Sequence, residues 1–143
     1  LRNINKINCW GSGNPPREFL HVDDFASACI KVLERWDPNL PDSPKDSKGN
    51  NLSYLNVGSE DEISIKDLAY KIAALTDYKG HIFWDKSKPD GTFSKKLDIS
   101  RIKSLGWEPT ISLNEGLKDV LEEVTKKVIN KSGKENLPRN FNI

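Results

Sequence analysis

Two histidines, His21 and His81, are candidates for acid–base work, because imidazole titrates near neutral pH. Neither has a sequence-local partner that would orient it or share its proton, so structural or surface roles suit both better. Asp23 and Asp24 form a carboxylate pair of the kind that holds a metal or moves a proton. Their place just before an apolar-periodic run favours a helix cap, where a carboxylate accepts bonds from the first free amides. Gly11-x-Gly13 has dinucleotide-type spacing, but Pro16 occupies the third glycine position and a strand follows. Pyrophosphate binding needs a helix N-terminus there. A reductase tyrosine needs a lysine four residues on to lower its pKa. Tyr54, Tyr70 and Tyr78 have Gly58, Ala74 and Ile82 at that offset. There is no GxSxG elbow and no P-loop. Cys9 and Cys29 make no CxxC pair, which speaks against zinc and against a disulfide framework. The expectation is therefore no catalytic, cofactor-binding or metal-ligating residue on this chain.

The elements that would position any site are short. Leu1 to Trp10 is a weak strand signal, and residues 11–16 form a loop by composition. Residues 18–22 read as a strand. Phe25, Ala28, Cys29, Val32 and Trp36 recur at helical spacing, predicting an amphipathic helix over 24–36 with Cys29 as a small buried hydrophobe. Residues 37–51 read as a mobile surface loop, rich in Pro, Asp, Ser, Lys and Gly. A strand is expected over 53–57. Ser64 and Asp67 resemble a capping box opening a helix to about residue 76. A strand at 81–84 precedes a loop over 86–94. Asp98 caps a short helix ended by Gly106. Residues 107–111 are extended, and the Ser112–Glu115 capping box opens a helix to about residue 129. The alternation predicts an α/β or α+β fold with no complete Rossmann unit. The chain reads as one domain over 1–130 and a disordered tail over 131–143.

Composition narrows the function classes. Charged residues are 30% and apolar residues 36%, which predicts a modest core. The 22 basic and 21 acidic residues leave a net charge of +1, giving no electrostatic footprint for nucleic acid or an anionic membrane. No apolar run approaches the length of a membrane span, and the N-terminus lacks a signal-peptide layout. A cytoplasmic location is the default expectation.

Two segments are hard to explain as generic scaffold. One is Trp10-Gly-Ser-Gly-Asn-Pro-Pro-Arg17-Glu-Phe-Leu-His-Val-Asp23-Asp24. The other is Ser87-Lys-Pro-Asp90-Gly-Thr-Phe-Ser-Lys95-Lys-Leu-Asp98. Together they resemble the GDP-L-fucose synthases, within the extended short-chain dehydrogenase/reductase superfamily. Leu55-Asn-Val-Gly-Ser59 and Leu105-Gly-Trp107 with Ile111-Ser-Leu113 fit the same family, so the resemblance runs from about residue 8 to 125. The Arg-x-Phe-x-x-Val-Asp-Asp stretch places the superfamily. The Lys-Pro-Asp-Gly-Thr loop with Lys95 points to the GDP-fucose branch. Phe93 departs from the proline common after that threonine.

The resemblance implies the C-terminal, GDP-sugar-binding part of an α/β enzyme whose N-terminal half binds NADP(H) and carries the Ser-Tyr-Lys set with a Cys and a His. That enzyme epimerises GDP-4-keto-6-deoxy-mannose at C3 and C5, then reduces C4 with NADPH, and is typically a homodimer. Four residues carry over as substrate-binding. Trp10 would line the site, its indole offering a flat apolar face and one N–H. Arg17 would fork onto phosphate oxygens. Asp90 would contact substrate from its turn, though Asp-Gly is also ordinary turn chemistry. Lys95 would lie near the diphosphate, though it could equally be a solvated charge. Alone, the chain is expected to be inactive and to expose Phe25, Ile30 and Leu55. The alternatives are a stand-alone nucleotide-sugar-binding module, or part of a UDP-sugar epimerase.

Overall fold

A computed structural model describes residues 4–132. The chain forms β1 (Lys6–Trp10), β2 (Pro16–Glu18), α1 (Val22–Arg35), β3 (Glu62–Ser64), α2 (Ile65–Leu75), β4 (His81–Asp85), α3 (Ser100–Ser104) and α4 (Leu113–Ser132). Strand β1 pairs in parallel with β4, from Lys6 opposite His81 to Trp10 opposite Asp85. Strand β2 pairs antiparallel with β3, placing Arg17 opposite Ile63 and Glu18 opposite Glu62. The fold is α/β, as expected.

Local chemistry explains most element ends. Ser64 Oγ accepts the Asp67 amide at 2.9 Å and opens α2. Ser112 Oγ accepts the Glu115 amide, and Glu115 returns to the Ser112 amide at 3.0 Å, opening α4. Each box satisfies amides that the first turn leaves free. Asp98 accepts the Ser100 amide at 2.9 Å just before α3, and Gly106 follows it in the left-handed region at φ 79°.

Five expectations are corrected. The first helix opens at Val22 rather than 24, because His21 is its cap: the imidazole Nδ1 accepts the Asp23 amide at 3.2 Å. The strand expected over 18–22 lies instead at Pro16–Glu18, sharing only Glu18 with the expected span. Asp24 is not a cap; it is turned inward, 3% exposed. Residues 53–57 form no strand, since a strand needs a partner for its amides and carbonyls, and none stands beside them among the described residues. Cys29 is exposed rather than buried. Helix α1 has apolar residues on two sides, and the packed side is the one carrying Ala28.

The core is small: Ala28, Ile99, Ile102 and Trp107, with Leu20, Val32 and Val57 packed against it. Trp107 is a packed core residue whose indole donates to Ser27 Oγ at 2.9 Å, so its one donor is satisfied. The Asp24 carboxylate closes this core. It accepts the Thr110 amide, the Thr110 hydroxyl at 2.8 Å and the Ile111 amide at 2.9 Å, tying α1 to the segment before α4. The far side of α1 is bare: Val22, Phe25, Ile30 and Leu33 are 51–86% exposed. Leu55 is half-buried. Residues 37–51 are built from turns, with Asp46 holding the Lys48 and Asn50 amides. Of the expected tail, Lys131 and Ser132 continue α4, and residues 133–143 lie outside the described residues.

Candidate functional site

The chain leaves β1 at Trp10 and turns through two glycines in the left-handed region, Gly11 at φ 80° and Gly13 at φ 75°. The Gly11 amide donates to Asp85 O at 3.0 Å, so the loop starts locked to the end of β4. Ser12 then meets the second loop. Its amide donates to Asp90 Oδ1 at 2.7 Å and its hydroxyl to Oδ2 at 2.6 Å. A Cβ at Gly11 would stand 2.4 Å from Asp90 Oδ1, so both backbone angle and space demand glycine. The Ser12 hydroxyl, and after it the Ser12 amide, hold the Asp90 carboxyl below its ordinary value. Asp90 is thus committed to a loop-to-loop clasp through both oxygens.

The clasp gathers three of the four expected residues. Trp10 is 76% exposed, so it is a surface indole, not a core one. The Lys88 ammonium sits 5.6 Å from its ring centroid. The Arg17 guanidinium donates from Nη1 to its neighbour Pro16 O at 2.6 Å. Its Nη2 lies 2.9 Å from where a Cβ at Gly91 would stand, beside the same turn as Asp90. Donor capacity on that guanidinium remains available for a ligand.

Lys95 is exposed, and its neighbours are the tethered residues. Ser94 Oγ donates to Glu62 Oε1 at 2.9 Å, and the Leu97 amide donates to Glu18 Oε2 at 3.0 Å. Glu18 also accepts the Glu60 amide at 2.6 Å on its other oxygen. The residues that sequence reasoning missed are therefore Ser12 and Glu18. Ser12 sits between two loop glycines and Glu18 beside the arginine, but neither type at those spacings announces its partner.

The rest of the surface offers less. A hollow of about 220 Å³ is lined by Phe19, Ser59, Asp61 and residues 109–113. Its one ionisable side chain is an acid, so it suits no phosphate. Among the described residues there is no cluster of three or more His, Cys, Asp or Glu able to hold a metal. No described helix is long and apolar enough to cross a membrane.

Similarity to known proteins extends over most of the chain. Residues 1–43 match the NAD dependent epimerase/dehydratase family. The chain is 40% identical over 129 residues to a putative GDP-L-fucose synthase 2 of Arabidopsis thaliana, spanning 90% of this chain and 35% of that protein. It is 44% identical over 120 residues to the GDP-L-fucose synthase of Escherichia coli K12, spanning 81% of this chain and 35% of that one. A GDP-6-OMe-4-keto-L-xylo-heptose reductase from C. jejuni superposes with a TM-score of 0.77 at 32% identity, over 86% of this chain and 34% of that one. The GDP-mannoheptose C4 reductase MlghC of Campylobacter jejuni, solved with NADP bound, gives 0.70 at 28% identity, over 85% and 35%. The chain spans about a third of the length of the curated relatives it matches. In sequence, this chain is similar to the C-terminal third of GDP-L-fucose synthases, and in fold to GDP-heptose reductases of Campylobacter jejuni.

Proposed function

We propose that this chain is the GDP-sugar-binding part of a GDP-L-fucose synthase. The observation that carries the reading is the convergence of Trp10, Arg17 and the Asp90–Gly91 turn through the Ser12 clasp. A nucleoside diphosphate sugar brings a flat base, two phosphates and a hydroxyl-rich ring. An exposed indole suits the flat or apolar faces. The Arg17 fork and the Lys95 ammonium suit the diphosphate, as paired and as point charges respectively. Asp90 acts chiefly by holding the loop that carries Trp10 against the turn beside Arg17.

The reaction belongs to the whole enzyme. Its Rossmann unit, NADP(H) site and proton-transfer residues are assigned to the part of such an enzyme that this chain does not span. When bound, NADPH supplies the hydride that reduces C4 after epimerisation at C3 and C5. The part of this chain is to bind and orient the GDP end, so that the keto-sugar lies against the other half. Orientation alone contributes strongly, because a misplacement of about 1 Å costs on the order of 100-fold in rate.

A chimera tests this. Fusing the chain after the dinucleotide-binding part of the Escherichia coli relative should restore NADPH oxidation with GDP-4-keto-6-deoxy-mannose. Arg17→Ala in the chimera should raise KM at least tenfold. A folded, NADPH-binding chimera without turnover would count against the proposal, as would NADPH oxidation by the 143-residue chain alone.

A further inference from the structure

We infer that Glu18 is a positioning residue that sets Lys95 beside Arg17 for recognition of a diphosphate. The inference rests on the function proposed above and assigns a part to a residue that sequence reasoning left out.

Glu18 ends β2, next to Arg17. Its carboxylate reaches two other stretches of chain at once. Oε1 accepts the Glu60 amide at 2.6 Å, and Oε2 accepts the Leu97 amide at 3.0 Å. Gly58 gives it room: a Cβ there would stand 2.3 Å from Oε1. Glu60 sits in the left-handed region at φ 62°, where a residue with a Cβ is strained. Such a conformation persists only where its surroundings over-determine it. Here the Glu18 carboxylate holds the Glu60 amide, and Lys103 Nζ pairs with the Glu60 carboxylate at 2.5 Å.

The consequence falls on Lys95. The segment 94–97 is fixed at one end by Ser94 on Glu62, and at the other by Leu97 on Glu18. Glu62 and Glu18 face each other across the β2–β3 pair. Both anchors therefore belong to one two-stranded ribbon, which also carries Arg17. Lys95 is one of only two residues, with Lys96, spanning between these anchors over that ribbon. Without Glu18 the segment keeps only the Ser94 hydroxyl contact, and a flexible four-carbon ammonium has no fixed distance from the Arg17 fork. A chelating pair of cations gains from a preset separation, since ordering is then complete before the ligand arrives.

The test is a double-mutant cycle read by NMR titration of the 143-residue chain, a method that reaches millimolar affinities. GDP and guanosine are titrated into the unsubstituted chain, Glu18→Gln, Lys95→Ala and the double variant. In Glu18→Gln one side-chain acceptor becomes a donor; the oxygen stays on the Glu60 amide, the shorter bond at 2.6 Å, so the NH2 faces the Leu97 amide and that tether breaks. Lys95→Ala and Glu18→Gln are each expected to weaken GDP about fivefold. The double variant is expected to be no weaker than either, and guanosine binding should not change. If Glu18→Gln binds GDP like the unsubstituted chain, or if its loss multiplies with that of Lys95→Ala, the positioning role is wrong. If Lys95→Ala itself costs nothing, the proposed function loses its lysine, a separate failure. Amide exchange keeps the test decisive should Glu18→Gln misfold. In the unsubstituted chain the Leu97 amide should exchange at least tenfold more slowly than that of Lys95, and equal rates would overturn the tether.

Discussion

Replacing Asp24 with Asn should cost this chain a large share of its stability. The side chain is 3% exposed, and its two oxygens serve three donors: the Thr110 amide and hydroxyl, and the Ile111 amide. Asn keeps the shape but turns one acceptor into a donor. With its oxygen toward Thr110, the NH2 faces the Ile111 amide; with the opposite flip it faces Thr110. A lost hydrogen bond to a charged group is worth about 1.5–3 kcal/mol, and a buried donor left unpaired adds about 1–3 kcal/mol. The first turn of α1 also loses a negative charge, worth about 0.5 kcal/mol against the helix dipole. The sum is about 3–6.5 kcal/mol, against a typical total of about 5–15 kcal/mol. Urea unfolding followed by far-UV circular dichroism reads it directly. The acid limb gives a second signature. Burial pushes the Asp24 carboxyl up, but the bonds from Ile111 and Thr110 outweigh it, so its pKa lies below the ordinary 3.8. A depressed carboxyl contributes its full stability above the unfolded value and loses it as pH falls through the folded one. The gap between the two proteins should therefore be widest above pH 3.8 and narrow below it. A variant within about 0.5 kcal/mol of the parent, or a gap constant with pH, would refute the reasoning.

Three further outcomes are expected. Gly11→Ala places a methyl group 2.4 Å from Asp90 Oδ1 at φ 80°, so the Ser12–Asp90 clasp should open. GDP affinity should then fall at least fivefold while urea unfolding shifts by only about 1–2 kcal/mol, since the loop is outside the core. Ile102→Ala empties a fully buried core position and should cost about 2–5 kcal/mol without changing GDP contacts, read by unfolding and titration together. Leu33 is 86% exposed on the bare side of α1, so Leu33→Lys should reduce self-association of the chain in sedimentation velocity and leave its stability within about 0.5 kcal/mol.

How far the sequence could be read depended on whether the deciding partner was near in the chain. The capping boxes at Ser64 and Ser112 and the helix end at Gly106 are local patterns, and each was legible. The parallel pairing of β1 with β4 joins residues some 75 apart, and nothing in either strand names the other. Asp24 looked like a cap because its partners, Thr110 and Ile111, lie 86 and 87 residues away. His21 took the cap because its ring reached the Asp23 amide first, a choice that spacing does not distinguish. The strand expected at 53–57 had the right composition, but composition supplies no neighbour for its backbone. Cys29 misled because α1 is apolar on two sides and the core covers only one. Trp10, Arg17 and Asp90 were singled out through the resemblance alone, and no spacing indicated that the fold would bring Trp10 and Arg17 to the Asp90–Gly91 turn. Ser12 and Glu18, whose contacts span 78 and 79 residues of chain, became visible only in the fold.

Trp10, Arg17 and Lys95 as a GDP-recognising surface are tested by titrating the 143-residue chain with GDP and with UDP under identical salt. The Trp10 indole N–H and the Arg17 and Lys95 side-chain resonances should shift together along one saturable curve with GDP, and UDP should bind at least tenfold more weakly. UDP binding as tight as GDP, or saturation by GDP that leaves those three residues unmoved, would contradict the account.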